Sequence, residues 1–239
     1  MNNGVLYIAS GRSYIEDAVE SAKSIKNISN LPITLIADRE VQNPIFDTVI
    51  HSDDFLYHYG DSVLKIPSLP YEKTLLLDTD TVVTEGFQDL FEISENVDIA
   101  AAPVAEDKFR IPTVPDSFPE LNTGVVLFNK GTKTSRFITL WKELYRDYLD
   151  NGTRMNQPAF REALYKTSVK SVTLSTEYNC RANFGGYLTD EVKILHGDFQ
   201  DPQSIFEQLN EHTTPRVFFN KNDQLHVEQV NTTNNRFRS

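Results

Sequence analysis

Cysteine is nearly missing: a chain of 239 residues carries one, Cys180. A lone thiol cannot close an intrachain disulfide, so no oxidative framework is available and a reducing, cytoplasmic setting is expected. Positive charge is scarce as well. Lys and Arg number 23 against 34 Asp and Glu, a formal net charge of −11. Proteins held to nucleic acid by long-range electrostatics need the opposite balance, so that partner class is excluded. An anionic small molecule is not excluded, because a bound cation or helix N-termini can invert the field at one site. Apolar runs are short throughout and none approaches the roughly 18 residues of a membrane span. No basic segment leading into an apolar run precedes the first strand-like stretch, so no secretory signal is expected. Glycine is sparse at 10 residues, and the motifs that depend on it are missing. There is no G-x-G-x-x-G, no G-x-x-x-x-G-K-[ST] and no G-x-S-x-G.

What is present is the material of a core. Hydrophobic residues make up 39%, with 15 Phe and 10 Tyr, and a globular chain of this size buries roughly 70–75% of its unfolded surface. Gly4 to Ala9 is an apolar run of buried-strand length. Ser13 and Glu16 form a capping box for a helix whose inner face carries Ile15, Ala18, Val19, Ala22 and Ile25. Leu31 to Ala37 reads as a second strand, and two strands joined by such a helix pair in parallel. Further strands are expected at Phe46–Ile50, Lys73–Leu77, Val97–Ala102, Gly124–Phe128 and Val192–Leu195. Helices are expected around Phe137–Leu149, after Pro158 and after Pro202, with a hairpin over Arg216–Val230. The expectation is a single α/β domain over residues 1–230, with a mainly parallel sheet flanked by helices and a polar tail at 231–239. Residues 103–120 hold four prolines and form the longest irregular stretch, which in a compact domain marks a functional or mobile loop.

The strongest chemical signal is Leu75-Leu76-Leu77-Asp78-Thr79-Asp80-Thr81-Val82-Val83. Acids interrupt an apolar run at the end of a central strand, the edge where open α/β sheets bind ligands. If the strand stays extended, Asp78 and Asp80 point to the same side. Two converging carboxylates repel unless they share a proton or a cation, and hard oxygen ligands suit Mg²⁺, Ca²⁺ or Mn²⁺. The pattern alone leaves open a loop whose acids merely cap the chain. His196 ends the late strand and precedes Gly197. An imidazole joining the acid pair would favour Mn²⁺ over Mg²⁺. The other histidines show no partner pattern and are expected at the surface. Cys180 reads as a small core residue rather than a nucleophile.

The order of these pieces resembles a GT-A-fold glycosyltransferase, nearest to glycosyltransferase family 8, over roughly residues 4–200. The pieces are a strand ending at Asp38, Lys65 ahead of the D-X-D, the segment Leu121-Asn122-Thr123-Gly124 before an apolar strand, Asn156-Gln157 opening a helix, and a late His196-Gly197. The resemblance implies a metal-dependent transferase that moves a sugar from a nucleotide-diphospho-sugar, a UDP-sugar by family habit, to a carbohydrate hydroxyl with retention of configuration. It implies that Ala9, Ser10 and Asp38 meet the nucleoside, and that Lys65 and Thr79 border the donor. Asp78, Asp80 and His196 would hold Mn²⁺ or Mg²⁺, with Gly197 alongside. Asn122, Thr123 and Gly124 would face the donor sugar, and Asn122 with Gln157 would stand at the reacting centre. The chain departs from the family at two places. No lysine follows Gly197-Asp198-Phe199-Gln200-Asp201-Pro202, so Lys108, Arg110 or Arg181 would have to substitute. Asn156-Gln157-Pro158 stands where Asp-Gln-Asp is usual. Two other classes fit parts of the pattern. A sugar-1-phosphate nucleotidyltransferase shares the sheet and acids but wants a basic, glycine-rich loop after the first strand. A degenerate transferase could keep the pocket only to bind carbohydrate.

Overall fold

The computed structural model describes residues 2–105, 109–222 and 224–230. A seven-stranded sheet runs through its centre. Its strands are β1 (Asn3–Ala9), β2 (Ile33–Ala37), β3 (Thr48–His51), β4 (Lys73–Leu77), β6 (Ile99–Pro103), β7 (Leu121–Asn129) and β8 (Ser171–Thr173). They lie in the order β3-β2-β1-β4-β7-β6-β8. Every pairing is parallel except the two made by β7, which runs against both β4 and β6. The sheet is therefore mixed and largely parallel.

Its central strands β1, β2, β4 and β7 are buried on both faces because both faces are covered. Val5, Tyr7, Ala9, Leu75, Leu77, Val125 and Leu127 pack into one core with helix α1 (Arg12–Lys26). Their sequence neighbours Leu6, Ile8, Leu76, Val126 and Phe128 pack into a second core with helices α3 (Thr132–Asp150) and α4 (Gln157–Lys166). The second core centres on Trp141, whose ring meets Phe160 edge-on at 4.7 Å between centroids. A short helix α2 (Asp61–Leu64) packs on β1.

Two smaller sheets complete the fold. β5 (Thr81–Val83) pairs antiparallel with β10 (Ile194–His196). β9 (Gly186–Leu188), β11 (Arg216–Lys221) and β12 (Gln224–Gln229) form a three-stranded sheet. It shares a third core with helix α5 (Pro202–Asn210), built on Leu188, Phe206, Leu209 and Phe218. Asp201 caps α5 by accepting the Ser204 N–H at 3.1 Å. Among the described residues, no helix is long and apolar enough to cross a membrane.

Two local expectations need correction. The capping box at Ser13 does not form: α1 starts two residues earlier than such a cap would set it, at Arg12, with Gly11 at φ 82° as its N-cap. Ser13 is thus already helical, and Glu16 pairs instead with Arg12 one turn back, at 2.7 Å. The apolar run around the D-X-D is also not one strand. β4 stops at Leu77, Thr79 and Asp80 form a turn, and the chain leaves for the small β5–β10 sheet. The polar tail at 231–239 lies outside the described residues.

Candidate functional site

Strand order places the site. From β1 the chain builds outward through β2 and β3, then returns to lay β4 on the other side of β1. Such a reversal opens a crevice at the carboxyl ends of the two flanking strands, where ligands of open α/β sheets bind. Ala9 ends β1 and Leu77 ends β4. Because β7 runs the other way, its first residues arrive at the same edge, with Leu77 opposite Val125. The Asp78 N–H donates to the Gly124 carbonyl at 2.8 Å. His196 arrives from the side, paired with Thr81 across β5 and β10.

Asp78, Asp80 and His196 therefore meet although their reach in sequence is long. One ligand atom from each lies within 4.8 Å of the others. His196 Nε2 is 3.4 Å from Asp80 Oδ1 and 3.7 Å from Asp78 Oδ2. Both carboxylates keep over a third of their side-chain surface open while His196 keeps 6%. The acids' environments differ. Burial pushes the Asp78 carboxyl up, against the pull of His196. Burial is the largest influence on Asp80 and raises it, but the hydrogen bond and charge of His196, with a backbone N–H and Arg181, together outweigh it and hold that carboxyl low. The convergence expected from an extended D-X-D is met by a turn.

That turn is fixed by a buried chain of hydroxyls. Thr81 Oγ1 donates to the Asp78 carbonyl at 2.9 Å, so Ser21 must donate to Thr81, at 2.8 Å, and Tyr7 to Ser21, at 2.7 Å. The Gly197 N–H holds the Asp80 carbonyl at 2.9 Å, and its φ of 138° explains glycine there. Thr79 is half-buried in the turn.

A second network sets the histidine's tautomer. The Gly124 N–H can only donate, and it donates to Asn122 Oδ1 at 2.9 Å. Asn179 Nδ2 donates to the same oxygen at 2.9 Å, which leaves Asn179 Oδ1 facing His196 Nδ1 at 2.8 Å. Nδ1 must therefore carry a proton, which leaves Nε2 as the ring nitrogen that faces the acids and the one a metal would take. Asn122 Nδ2 continues the chain to Gln157 Oε1 at 2.8 Å. Thr123 donates to Asn156 Oδ1 at 2.8 Å. Asn122, Thr123, Asn156 and Gln157 are all buried, so four of the expected site residues form one lattice behind His196. Asn179, which joins the two halves, was missed from the sequence, where an Asn before the lone cysteine carries no signal.

Two hard carboxylates and a neutral imidazole nitrogen are a donor set that fits Mn²⁺ or Mg²⁺. Gly124 is part of the fit. A Cβ there would lie 2.1 Å from His196 Cε1 and 2.8 Å from Asp78 Oδ2.

The expected nucleoside residues gather at the β1–β2 edge. Ser10 donates to the buried Asp61 at 3.0 Å, next to buried Ala9. Asp38 follows β2 with 4% of its side chain exposed. The Arg39 guanidinium, the Gly11 N–H and the Tyr57 hydroxyl hold its carboxyl down to about 2, against a smaller effect of burial. Lys65 does not join this group. It donates to the Asp53 carbonyl, lies 5.1 Å over the Phe55 ring, and lines a separate cavity of about 350 Å³ with Arg146 and Leu149. Among the proposed substitute cations, Arg110 is exposed and Lys108 lies outside the described residues. Arg181 is different, since Asp80 and Asp78 both feel its charge.

Of the remaining expectations, Cys180 is fully buried and its thiol is pushed up by burial, as suits a core residue. His58 and His226 are less open than expected: His58 Nδ1 accepts the Gly60 N–H, and His226 stacks on Phe219 at 5.3 Å. Within the irregular 103–120 stretch, the part from Phe109 to Phe118 is pinned. Fully buried Arg161 on α4 donates to the carbonyls of Phe109, Pro115 and Phe118 at 2.7–3.1 Å. Glu162 beside it accepts from Thr113 at 2.6 Å.

No protein-family model matches the chain, and no curated protein matches it in sequence. Solved structures do resemble it. The glycosyltransferase GlyE of Streptococcus pneumoniae aligns over 83% of this chain at 19% identity, with a TM-score of 0.58. This chain spans 56% of GlyE, so little more than half of that protein is represented. The galactosyltransferase LgtC, solved with donor and acceptor sugar analogs, aligns over 82% of this chain and 87% of its own, at 14% identity and a TM-score of 0.60. Mouse xyloside xylosyltransferase 1 aligns over 82% of this chain and 97% of its own, at 14% identity and a TM-score of 0.50. The fold is that of the GT-A glycosyltransferases and resembles family 8.

Proposed function

We propose that this chain is a metal-dependent glycosyltransferase that moves a sugar from a nucleotide-diphospho-sugar, a UDP-sugar by family resemblance, to a carbohydrate hydroxyl with retention of configuration. The observation that carries the reading is the meeting of Asp78, Asp80 and Nε2 of His196 at the β1–β4 crevice of a GT-A fold. A divalent ion bound there would neutralise charge that gathers on the departing diphosphate. The protein's own part is positional. The Tyr7–Ser21–Thr81 hydroxyls hold the turn that presents both acids, and Asn179 holds His196 in the ligating tautomer. Asn122 and Gln157 stand next to that group, and with the Gln157 oxygen engaged its NH₂ remains to face the sugar. Asp38, aligned at the edge where β1 and β2 end, accepts from the base, with Ala9 and Ser10 against the nucleoside. Residues 1–230 act as one catalytic domain in this reading, and a cytoplasmic setting accords with a lone, buried cysteine.

The test is a panel of nucleoside diphosphates and nucleotide-sugars against the melting temperature, with and without Mn²⁺. A ligand at 100 times its Kd stabilises by about 2.7 kcal/mol, so the correct donor raises the transition visibly and only with metal. Turnover of that donor on a glycan panel, with the product anomer read by NMR, follows. If UDP never shifts the transition in the presence of metal, the reading fails.

A further inference from the structure

An acidic chain has carboxylates to spare for its cations, since 34 Asp and Glu stand against 23 Lys and Arg. Lys65, Lys142 and Arg146 depart from that expectation. Lys142 is half-buried, and burial together with the charges of Arg146 and Lys65 pulls its ammonium down. Like charges held this close disfavour one another unless a counter-charge joins them. Among the described residues, no carboxylate forms an ion pair with any of the three. The Ile66 carbonyl holds Lys142, and the Asp53 carbonyl and the Phe55 ring hold Lys65. Arg146 is exposed and has no hydrogen-bond partner among the described residues. It is not needed to close the end of α3 either. The carbonyls of Asp147, Tyr148 and Leu149 already accept the N–H groups of Asn151, Thr153 and Gly152, at 2.9–3.2 Å.

These cations border the cavity of about 350 Å³ between α2 and the end of α3. Lys65 and Arg146 line it, Leu56, Leu64 and Leu149 give it an apolar wall, and the exposed acids Asp54 and Asp150 face it too. Lys142 stands one helical turn before Arg146 on α3. Three cations against two acids leave a local excess of positive charge in a chain whose net charge is −11. The volume lies at the lower end of the range for small-molecule sites, about 300–1,000 Å³, so the cavity admits more than a bare ion. We propose that it binds a phosphate monoester, with the oxyanion between Lys65 and Arg146 and the carbon part against Leu56, Leu64 and Leu149. A phosphate monoester carries about −1.5 to −2 at pH 7 and can answer more than one of these cations, whereas a carboxylate carries a single charge. The planar fork of Arg146 suits two phosphate oxygens, and Lys65 adds a point charge. The site is separate from Asp78, Asp80 and His196 and does not depend on the transferase reading.

The experiment is calorimetric titration of the full chain with phenyl phosphate, inorganic phosphate and benzoate, in EDTA so that the acid group holds no metal. Phenyl phosphate binds most tightly, inorganic phosphate more weakly for want of the leucine contacts, and benzoate more weakly than phenyl phosphate for want of charge. Arg146→Gln and Lys65→Gln each weaken phenyl phosphate about 10-fold, the low end for a charge-assisted contact because both side chains reach solvent. Arg136→Gln, which removes an exposed cation from another part of α3, leaves that affinity unchanged. Sedimentation with phosphatidic acid vesicles distinguishes the source of the ester: pelleting that is lost in Arg146→Gln assigns it to a lipid headgroup, and no pelleting assigns it to a soluble molecule. Absence of phenyl phosphate binding overturns the inference, as does binding that neither Arg146→Gln nor Lys65→Gln weakens. Benzoate binding as tightly as phenyl phosphate overturns it too. None of these results bears on the transferase reading, which is tested with UDP and Mn²⁺.

Discussion

Gly124→Ala adds one methyl group at the point where β7, Asp78 and His196 meet. Its Cβ would stand 2.1 Å from His196 Cε1 and 2.8 Å from both His196 Nδ1 and Asp78 Oδ2. Carbon atoms in contact settle at about 3.5–4.0 Å, so the ring must retreat by at least about 1 Å. It cannot do so alone, because Nδ1 is held at 2.8 Å by Asn179, which hangs on Asn122 and so on the Gly124 N–H itself. Overpacking of this kind costs about 1–3 kcal/mol. For a chain of this length each kcal/mol lowers Tm by about 2–4 °C. A histidine that loses its supporting partner typically costs a metal site about 10- to 100-fold in affinity. Titration calorimetry with MnCl₂ and differential scanning calorimetry read the two effects separately. Gly131→Ser is the control: nothing lies within 4 Å of a Cβ there, its φ is −178°, and serine is a good N-cap for α3. That control should melt within about 0.5 kcal/mol of the unaltered protein. Should Gly124→Ala bind Mn²⁺ as tightly as the unaltered protein and melt at the same temperature, the packing argument is wrong.

Asn179→Ala removes the acceptor that holds the His196 Nδ1 proton, and Mn²⁺ affinity should fall about 10- to 100-fold; an unchanged titration would detach Asn179 from the site. Arg161→Met strands the carbonyls of Phe109 and Phe118 without their donor and leaves Pro115 only the Phe118 N–H, so chemical denaturation should show a loss of about 3 kcal/mol or more, and limited proteolysis should cut within 109–118 first. Glu177 is buried yet its carboxyl is held low: burial is the largest influence and raises it, but the Thr189 N–H, the Ser175 hydroxyl and the N–H groups of Glu177 and Asp190 together outweigh that. A lowered folded value gives stability that is present above the ordinary carboxylate range and lost as pH falls through that range toward the folded value. Glu177→Gln keeps the acceptor without the charge, so it should lose about 1 kcal/mol at pH 7 and show a shallower fall in Tm between pH 6 and pH 3; an unchanged acid limb would refute the assignment.

The middle of the sheet was easy to read because its strands are buried on both faces. Lys73–Leu77 is strand β4 to the residue, since five consecutive residues are buried and its three leucines alternate between the two cores. β8 and β9 left no such trace, as they are short and mostly exposed and owe their pairing to neighbours far along the chain. At the site, Asp78, Asp80 and His196 were legible as acids and an imidazole at strand ends. Asn179 was not, because its partner Asn122 is 57 residues away and only the β7 reversal brings them together. Lys65 shows the converse: its position before the D-X-D suggested a donor contact, but α2 carries it to Asp53 and Phe55.

Arg161 holds its loop by main-chain oxygens alone. Carbonyls are the same whatever side chain they accompany, so the grip is indifferent to most substitutions between Phe109 and Phe118. Four residues earlier on the same helix, Gln157 belongs to the lattice behind His196. The arrangement lets the side chains of this loop change while its main chain keeps a fixed place relative to the lattice behind His196. Sequence can diverge here without disturbing the frame.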